Sequence, residues 1–378
     1  MKVEILLYIY GIICISLIAF NCVYIFIIRH NAIMLERDTG EFDVLIWEQI
    51  MRLDEGLPVS DKHKKLLCRK LKSTARLTAF DKSLENIYGK SPEKAKQYLF
   101  GIYPVFMFLS AEYKKCDVIK SAYFPYIISK YKILKYKEIS FISDFMFDML
   151  HSDNVYCREN ALKALYSTGI SDYVTEALKI IDKNLSFHHP KLICDGLFEF
   201  DGDKKELADK LLAVFESYSE GMQVNIMNFI RFAGAKDEKT DEIMYDILTD
   251  ESRNQELRFS AIRYFEKFPS DLACGTLQEF AENKEGRVWE YQAIASSALK
   301  AYPDEKSAQI LKNNLSSSNW YVRLNSAVAC ERLGYSYADL IQVFDGNDRY
   351  AREMLQYRLD RREAEKHGKA VKKEAAMS

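Results

Sequence analysis

Asn154-Val-Tyr-Cys-Arg158-Glu-Asn160-Ala-Leu-Lys-Ala164-Leu-Tyr-Ser-Thr-Gly169 returns later in the chain as Asn319-Trp-Tyr-Val-Arg323-Leu-Asn325-Ser-Ala-Val-Ala329-Cys-Glu-Arg-Leu-Gly334. A third copy, Asn254-Gln-Glu-Leu-Arg258-Phe-Ser-Ala261-Ile-Arg-Tyr-Phe265, lies between them. The arginine separations, 258 − 158 = 100 and 323 − 258 = 65, divide into roughly three and two units of about 33 residues, the size at which stacked helix pairs repeat. A lone helix pair cannot hide its apolar face, so repetition at this period predicts an all-α fold in which pairs pile into an α-solenoid. First helices are expected near 155–167, 189–200, 220–233, 254–267, 287–301 and 319–333, each followed by a second helix. Gly169, Asp201-Gly202-Asp203, Gly234, Pro269, Pro303 and Gly334 stand where a first helix should stop.

Upstream of the repeats the pattern stays helical, with elements expected near 41–54, 60–88, 92–114, 117–131 and 138–150. This half is aromatic-rich, above all from Tyr98 to Phe108. That run is too short to span a bilayer and is expected mostly in the core.

The chain opens differently. No charge falls between Glu4 and Arg29, and residues 5–28, as a helix rising about 1.5 Å per residue, reach roughly 36 Å, enough to cross a hydrocarbon layer of about 30 Å. The expectation is an uncleaved transmembrane helix over 5–28, after a stub at 1–4 and before a juxtamembrane linker over 29–40. A cleaved secretory signal is the competing reading, disfavoured by the length of the run and by the lack of a small-x-small site before Arg29. Asn21, the strongly polar side chain within the span, is a candidate contact with another membrane helix. Arg29 and Arg37 against Lys2 place the soluble part in the cytoplasm, as does the basic stretch from Asp61 to Arg76, which alternatively reads as a solvated helix face over a Leu67, Leu71, Ala75 stripe. Eight scattered cysteines without a CxxC fit a reducing compartment.

Domain organisation follows: irregular helices over 41–150, repeats over 151–345, a capping helix at 346–366 and a charged tail at 367–378. A formal net charge of −2 argues against nucleic acid as a partner. No HExxH, GxSxG, GxxxxGK[ST] or GxGxxG occurs, so no catalytic, cofactor-binding or metal-ligating residue is assigned and no enzyme activity is expected. His188 and His189 are expected at the surface, at a helix start, and Asp201-Gly-Asp203 as a turn. Arg158, Arg258 and Arg323 share one repeat position, while Trp289 and Trp320 fall in adjacent repeats. Together these five form a candidate partner-binding ridge, the alternatives being a structural arginine ladder and packed tryptophans.

The Asn-x-x-x-Arg-x-x-Ala/Ser pattern at Asn154 to Ala161, Asn254 to Ala261 and Asn319 to Ser326, on a helix-turn-helix period, resembles HEAT repeats of the armadillo-like class. The resemblance covers about 150–345. Lys191, Asn225 and Tyr291 replace the arginine in three units. It implies an α/α superhelix and, with the anchor, a single-pass, bacterial-type membrane scaffold holding a protein partner. Proteins of this kind accompany membrane enzyme assemblies such as polysaccharide glycosyltransferases. Other members of the class leave a catalytic or small-ligand function of the lyase or glycosylase type open, and an adhesion scaffold outside the cell is a third reading. Oligomeric state is not legible.

Overall fold

The computed structural model describes residues 2–115, 118–136, 141–184, 188–284 and 286–377, and every regular element among them is helical. The chain clusters into two compact units, Met1–His188 with Glu199–Gly202, and His189–Phe198 with Asp203–Ser378. The repeat region expected over 151–345 therefore contributes to both.

The first unit holds α1 (Lys2–Asp54), α2 (Asp61–Lys70), α3 (Thr74–Lys90), α4 (Pro92–Gly101), α5 (Tyr103–Tyr113), α6 (Val118–Lys130), α7 (Phe141–Leu150), α8 (Val155–Tyr166) and α9 (Ser171–Lys183). Helix α1 packs on α3 and α4, α2 on α5, α6 on α8, and α7 on α8 and α9. In the second unit, α10 (Pro190–Phe198), α12 (Glu220–Ala233), α14 (Gln255–Lys267), α16 (Trp289–Ala298), α18 (Trp320–Arg332) and α20 (Arg349–Met377) each pack on the next of the series. The second helices, α11 (Lys204–Ala213), α13 (Glu238–Thr249), α15 (Asp271–Glu282) and α17 (Glu305–Asn314), pack against the first helix that follows, and α13, α15 and α17 against one another. A short α19 (Ile341–Phe344) leads into α20. This two-layer neighbour pattern is that of an α-solenoid. Leu257, Ala261, Ile262 and Phe265 of α14, with Leu277 and Phe280 of α15, are buried between layers, each large side chain contributing about 1.5–3 kcal/mol.

Four expectations about element boundaries change. Residues 29–40, expected as a linker, are helical, so α1 runs unbroken from the apolar stretch into the first unit. The segment carries no proline, Thr39 Oγ1 bonds back to the Leu35 carbonyl at 2.7 Å, and a single glycine, Gly40, costs a helix only about 1 kcal/mol. The expected 60–88 helix breaks at Leu71, whose carbonyl accepts a 2.9 Å bond from the buried Tyr113 hydroxyl, while Ser73 takes extended dihedrals. The expected 92–114 helix breaks at Ile102 because Pro104, in the first turn of α5, has no N–H to continue the ladder. At the other end, the tail over 367–378 is helical as far as Met377.

Among the described residues one helix, α1, is long and apolar enough to cross a membrane, with a mean hydropathy of 2.5 over its best 18 residues and none of that window buried. Further along the same helix, Phe42, Ile46 and Ile50 are buried in the first unit. Tyr98, Tyr103 and Phe106 of the aromatic run are core residues, whereas Phe100 and Phe108 are exposed. Ser60 caps α2, its hydroxyl accepting from the His63 N–H. The basic stretch is neutralised in part: Lys70 pairs with Glu41, Lys64 with Asp61 and Lys72 with Glu112. Leu67 and Leu71 are buried below it, but Ala75 is exposed.

His63 shares a 2.8 Å hydrogen bond with the Tyr98 hydroxyl inside the first unit, and burial pushes its pKa from 6.5 down to about 4. Between those values the unfolded chain binds the proton more readily than the folded one, so stability is intact above pH 6.5 and falls as pH drops toward 4. Thermal unfolding of the detergent-solubilised chain should show the melting temperature falling across that window, and His63→Gln should flatten the fall.

Candidate functional site

The repeat motif works as a coupled cap and tie. The side-chain oxygens of Asn154, Asn254 and Asn319 accept backbone N–H bonds of 2.8 Å from Tyr156, 2.8 Å from Glu256 and 2.9 Å from Tyr321, satisfying donors that a helix start leaves free. One turn on, the arginine reaches back to the end of the preceding segment. Arg158 Nη1 donates to the Ser152 carbonyl at 2.7 Å, and Arg258 Nε to the Leu248 carbonyl at 3.1 Å. Arg258 also lies over the Phe280 and Tyr291 rings, 5.3 and 5.0 Å from their centroids.

Two members of the expected ridge are thereby removed from it. Arg158 and Arg258 are 1% and 6% exposed, because each is drawn in against the neighbouring segments it contacts rather than toward solvent. They are structural ties. Arg323 is half-buried, its guanidinium 5.4 Å from the Tyr350 ring centroid. A fourth copy of the motif, Asp348-Arg-Tyr-Ala-Arg352, opens α20, 352 − 323 = 29 residues after the third. Asp348 caps the Ala351 N–H at 3.1 Å and Arg352 Nη1 donates to the Gly346 carbonyl at 3.0 Å. The sequence reading missed this copy because an aspartate replaces the asparagine and the spacing is short.

Trp289 and Trp320 do sit at the surface, 41% and 50% exposed. Both meet Tyr321: Trp289 stacks on it at 5.3 Å and 17°, and Trp320 meets it edge-on at 5.1 Å. With Tyr350, across Arg323, they form a stripe over the starts of α16, α18 and α20, and Tyr321 and Tyr350 are more than half exposed. Both tyrosines occupy the second residue past the cap, as does the exposed Tyr156 of the first unit. That recurrence was the available signal, hidden by attention to the arginine.

Asn21 stands exposed on the apolar part of α1. His188, expected at the surface, is buried, with Nε2 3.4 Å from the Glu159 carboxylate of α8. Asp203 caps α11, while Asp201 pairs with Lys132 and Lys135. Burial pushes the Cys194 and Cys330 thiols up to about 11 and about 12. Cys116 lies outside the described residues. Among the described residues no three His, Cys, Asp or Glu side chains gather as a metal site would require. The first unit carries an open recess of about 580 Å³ between Tyr123, Tyr126, Tyr156 and Asn160. The second carries one of about 570 Å³ at the far ends of its first helices.

No protein-family model matches the chain, and no curated protein matches it. Among solved structures it is similar to human deoxyhypusine hydroxylase in complex with glycerol, at 15% identity and a TM-score of 0.28 over 80% of this chain and 96% of that one. It is also similar to an engineered protein, at 13% identity and a TM-score of 0.34 over 87% of this chain and 96% of that one.

The two kinds of motif residue should separate on substitution. Arg258→Met, which strands the Leu248 carbonyl and empties a contact with two rings, should lower stability by about 2–3 kcal/mol. Trp320→Ala at the exposed stripe should change it by less than about 1 kcal/mol. Urea unfolding followed by circular dichroism checks both.

Proposed function

We propose that this protein is a membrane-anchored helical-repeat scaffold of the HEAT type, whose array holds a protein partner beside the membrane. The observation that carries the reading is the exposed aromatic stripe of Trp289, Trp320, Tyr321 and Tyr350. Tryptophan and tyrosine are the side chains that most often anchor protein interfaces, and ring-on-ring contact among Trp289, Trp320 and Tyr321, with Arg323 against Tyr350, holds these in place before any partner arrives. The exposed apolar length of α1 supplies the anchor. Because α1 continues unbroken into the first unit, that unit stands close to the bilayer. Asn21 is the amide this reading assigns to a neighbouring membrane helix.

The array is assigned to the cytoplasm. What supports this is the set of thiols outside any disulfide at Cys68, Cys194, Cys274 and Cys330, together with Arg29 and Arg37 after the apolar stretch. The role is that of an accessory subunit to a membrane enzyme assembly, of which a polysaccharide glycosyltransferase is one example.

The chain, extracted from membranes in mild detergent, should bring down a membrane protein in stoichiometric amount. The double variant Trp320→Ala, Tyr321→Ala should lose that partner while keeping the wild-type circular dichroism and membrane association. A wild-type preparation free of any stoichiometric partner, or capture indifferent to the stripe, would overturn the scaffold reading. Added protease should cut the array in inverted vesicles and spare it in intact cells; cutting in intact cells would assign it to the outside.

A further inference from the structure

The second unit contains a cluster of cations that the motif does not explain. Arg231 at the end of α12, Arg263 and Lys267 on α14, and Lys300 just beyond α16 line one open groove of about 570 Å³, with Glu266 as its single carboxylate. Glu266 is already engaged by Lys300 and by the Ser297 hydroxyl at 3.5 Å. Lys267 is held by the Arg231 and Phe232 carbonyls at 2.8 and 3.4 Å, at the end of α12. The two guanidiniums are left over. Arg231 donates through Nη2 to Asn228 at 3.1 Å, but its buried Nε has no hydrogen-bond partner. No ion pair joins a carboxylate to either Arg231 or Arg263 among the described residues. Burial, and after it the neighbouring charge of Arg263, lower the pKa of Arg231 against the opposing pull of Glu266.

Two adjacent, unneutralised guanidiniums in a groove call for an anion, and a guanidinium takes a carboxylate in paired bonds. The rest of the groove narrows the choice. Phe232 is 55% exposed, its ring beneath the Arg231 guanidinium at 4.3 Å and the Lys267 ammonium at 5.7 Å. Ile294 adds an apolar wall, and Ser297 and Asn325 add neutral polar groups. A site that alternates cations with apolar surface suits a peptide carrying both acidic and apolar side chains. In a chain of net charge −2, four cations in one short groove are a local feature and not the extended basic surface that a nucleic acid backbone demands.

We infer that the groove lined by Arg231, Phe232, Arg263, Lys267, Ile294 and Lys300 is the docking site for an acidic segment of the partner protein, its carboxylates on the guanidiniums and its apolar side chains on Phe232 and Ile294. This rests on the scaffold reading for the existence of a protein partner, and it adds the chemistry of the segment recognised.

A fluorescein-labelled peptide alternating Asp, Glu and Phe, titrated into the full chain in non-ionic detergent, tests it without the natural partner. Anisotropy should rise saturably, weaken with salt, and show no binding by the same peptide with Asn and Gln in place of its acids. Arg263→Glu should weaken binding by about tenfold or more, and Arg263→Lys by clearly less. Lys179→Glu, on the first unit, should leave it unchanged, and melting temperatures confirm that all variants fold. Binding unaffected by Arg263→Glu, absence of binding, or tighter binding of a single-stranded oligonucleotide through the same arginines would each overturn the inference. Loss of the groove result alongside stripe-dependent capture of a partner sinks this inference alone. The reverse, groove binding with no partner in membranes, sinks the scaffold reading and leaves the groove as an acidic-peptide site.

Discussion

Helix pairs in this protein carry an apolar stripe that only a neighbouring pair can cover, and the stacking that results is pinned at the starts of α8, α14 and α20. The capping asparagine or aspartate satisfies free N–H groups at that start, and the arginine one turn later spends its charge on the carbonyl that ends the preceding segment. A buried guanidinium is tolerated only when such an acceptor meets it. Between successive first helices a second tie repeats: Asn160 Nδ2 donates to the Ala122 carbonyl at 3.0 Å and Asn325 Nδ2 to the Ala293 carbonyl at 2.7 Å. Caps, ties and core therefore enforce one register, and a slip by one residue would strand several polar groups at once.

Surface chemistry is what this framework leaves over. Positions facing the neighbouring pair are occupied by ties and core residues, so the residues free to meet other molecules are those just after the cap and those at the far ends of the first helices. The first set supplies Trp289, Trp320, Tyr321 and Tyr350; the second supplies Arg231, Arg263 and Lys267. These residues lie in the second unit, and the first has the exposed Tyr156 at the corresponding place past its cap. The first unit instead buries its polar network: Asp81 accepts from the Tyr131 hydroxyl at 2.7 Å, from the Tyr123 hydroxyl at 3.0 Å and from Lys130 at 2.8 Å, a set of partners that closes on itself.

Much of the fold was legible because its causes are local. Periodic apolar residues, Asn and Ser caps, and Gly or Pro stops each act within a turn or two of the chain, which is why the first helices from α8 to α18 fall close to their expected limits. The boundaries that were missed turned on events that local chemistry weighs wrongly. Residues 29–40 were expected as a linker but continue α1, since the small penalty of Gly40 is outweighed by helix on both sides. Leu71 looked like mid-helix but ends α2, with its carbonyl held by Tyr113 from another helix. The candidate site was half legible. Trp289 and Trp320 were chosen for being large and adjacent in the repeat, but their companion Tyr321 was passed over, and Arg158 and Arg258 stood open between a binding ridge and a structural ladder because a repeated charge resembles a recognition code as readily as a brace.

The sequence by itself determined the period, the all-α class, the apolar length at the start of the chain and the residues at each helix start, because each rests on spacing along one strand of chain. Only the tertiary structure decided which face of each helix meets its neighbour. That choice buried two arginines of the shared repeat position, left the tryptophans in solvent, and brought Arg231 beside Arg263 from helices that are separated in sequence. Side-chain direction and burial depend on what packs alongside, and a linear pattern records the turn of the helix but not the neighbour waiting there.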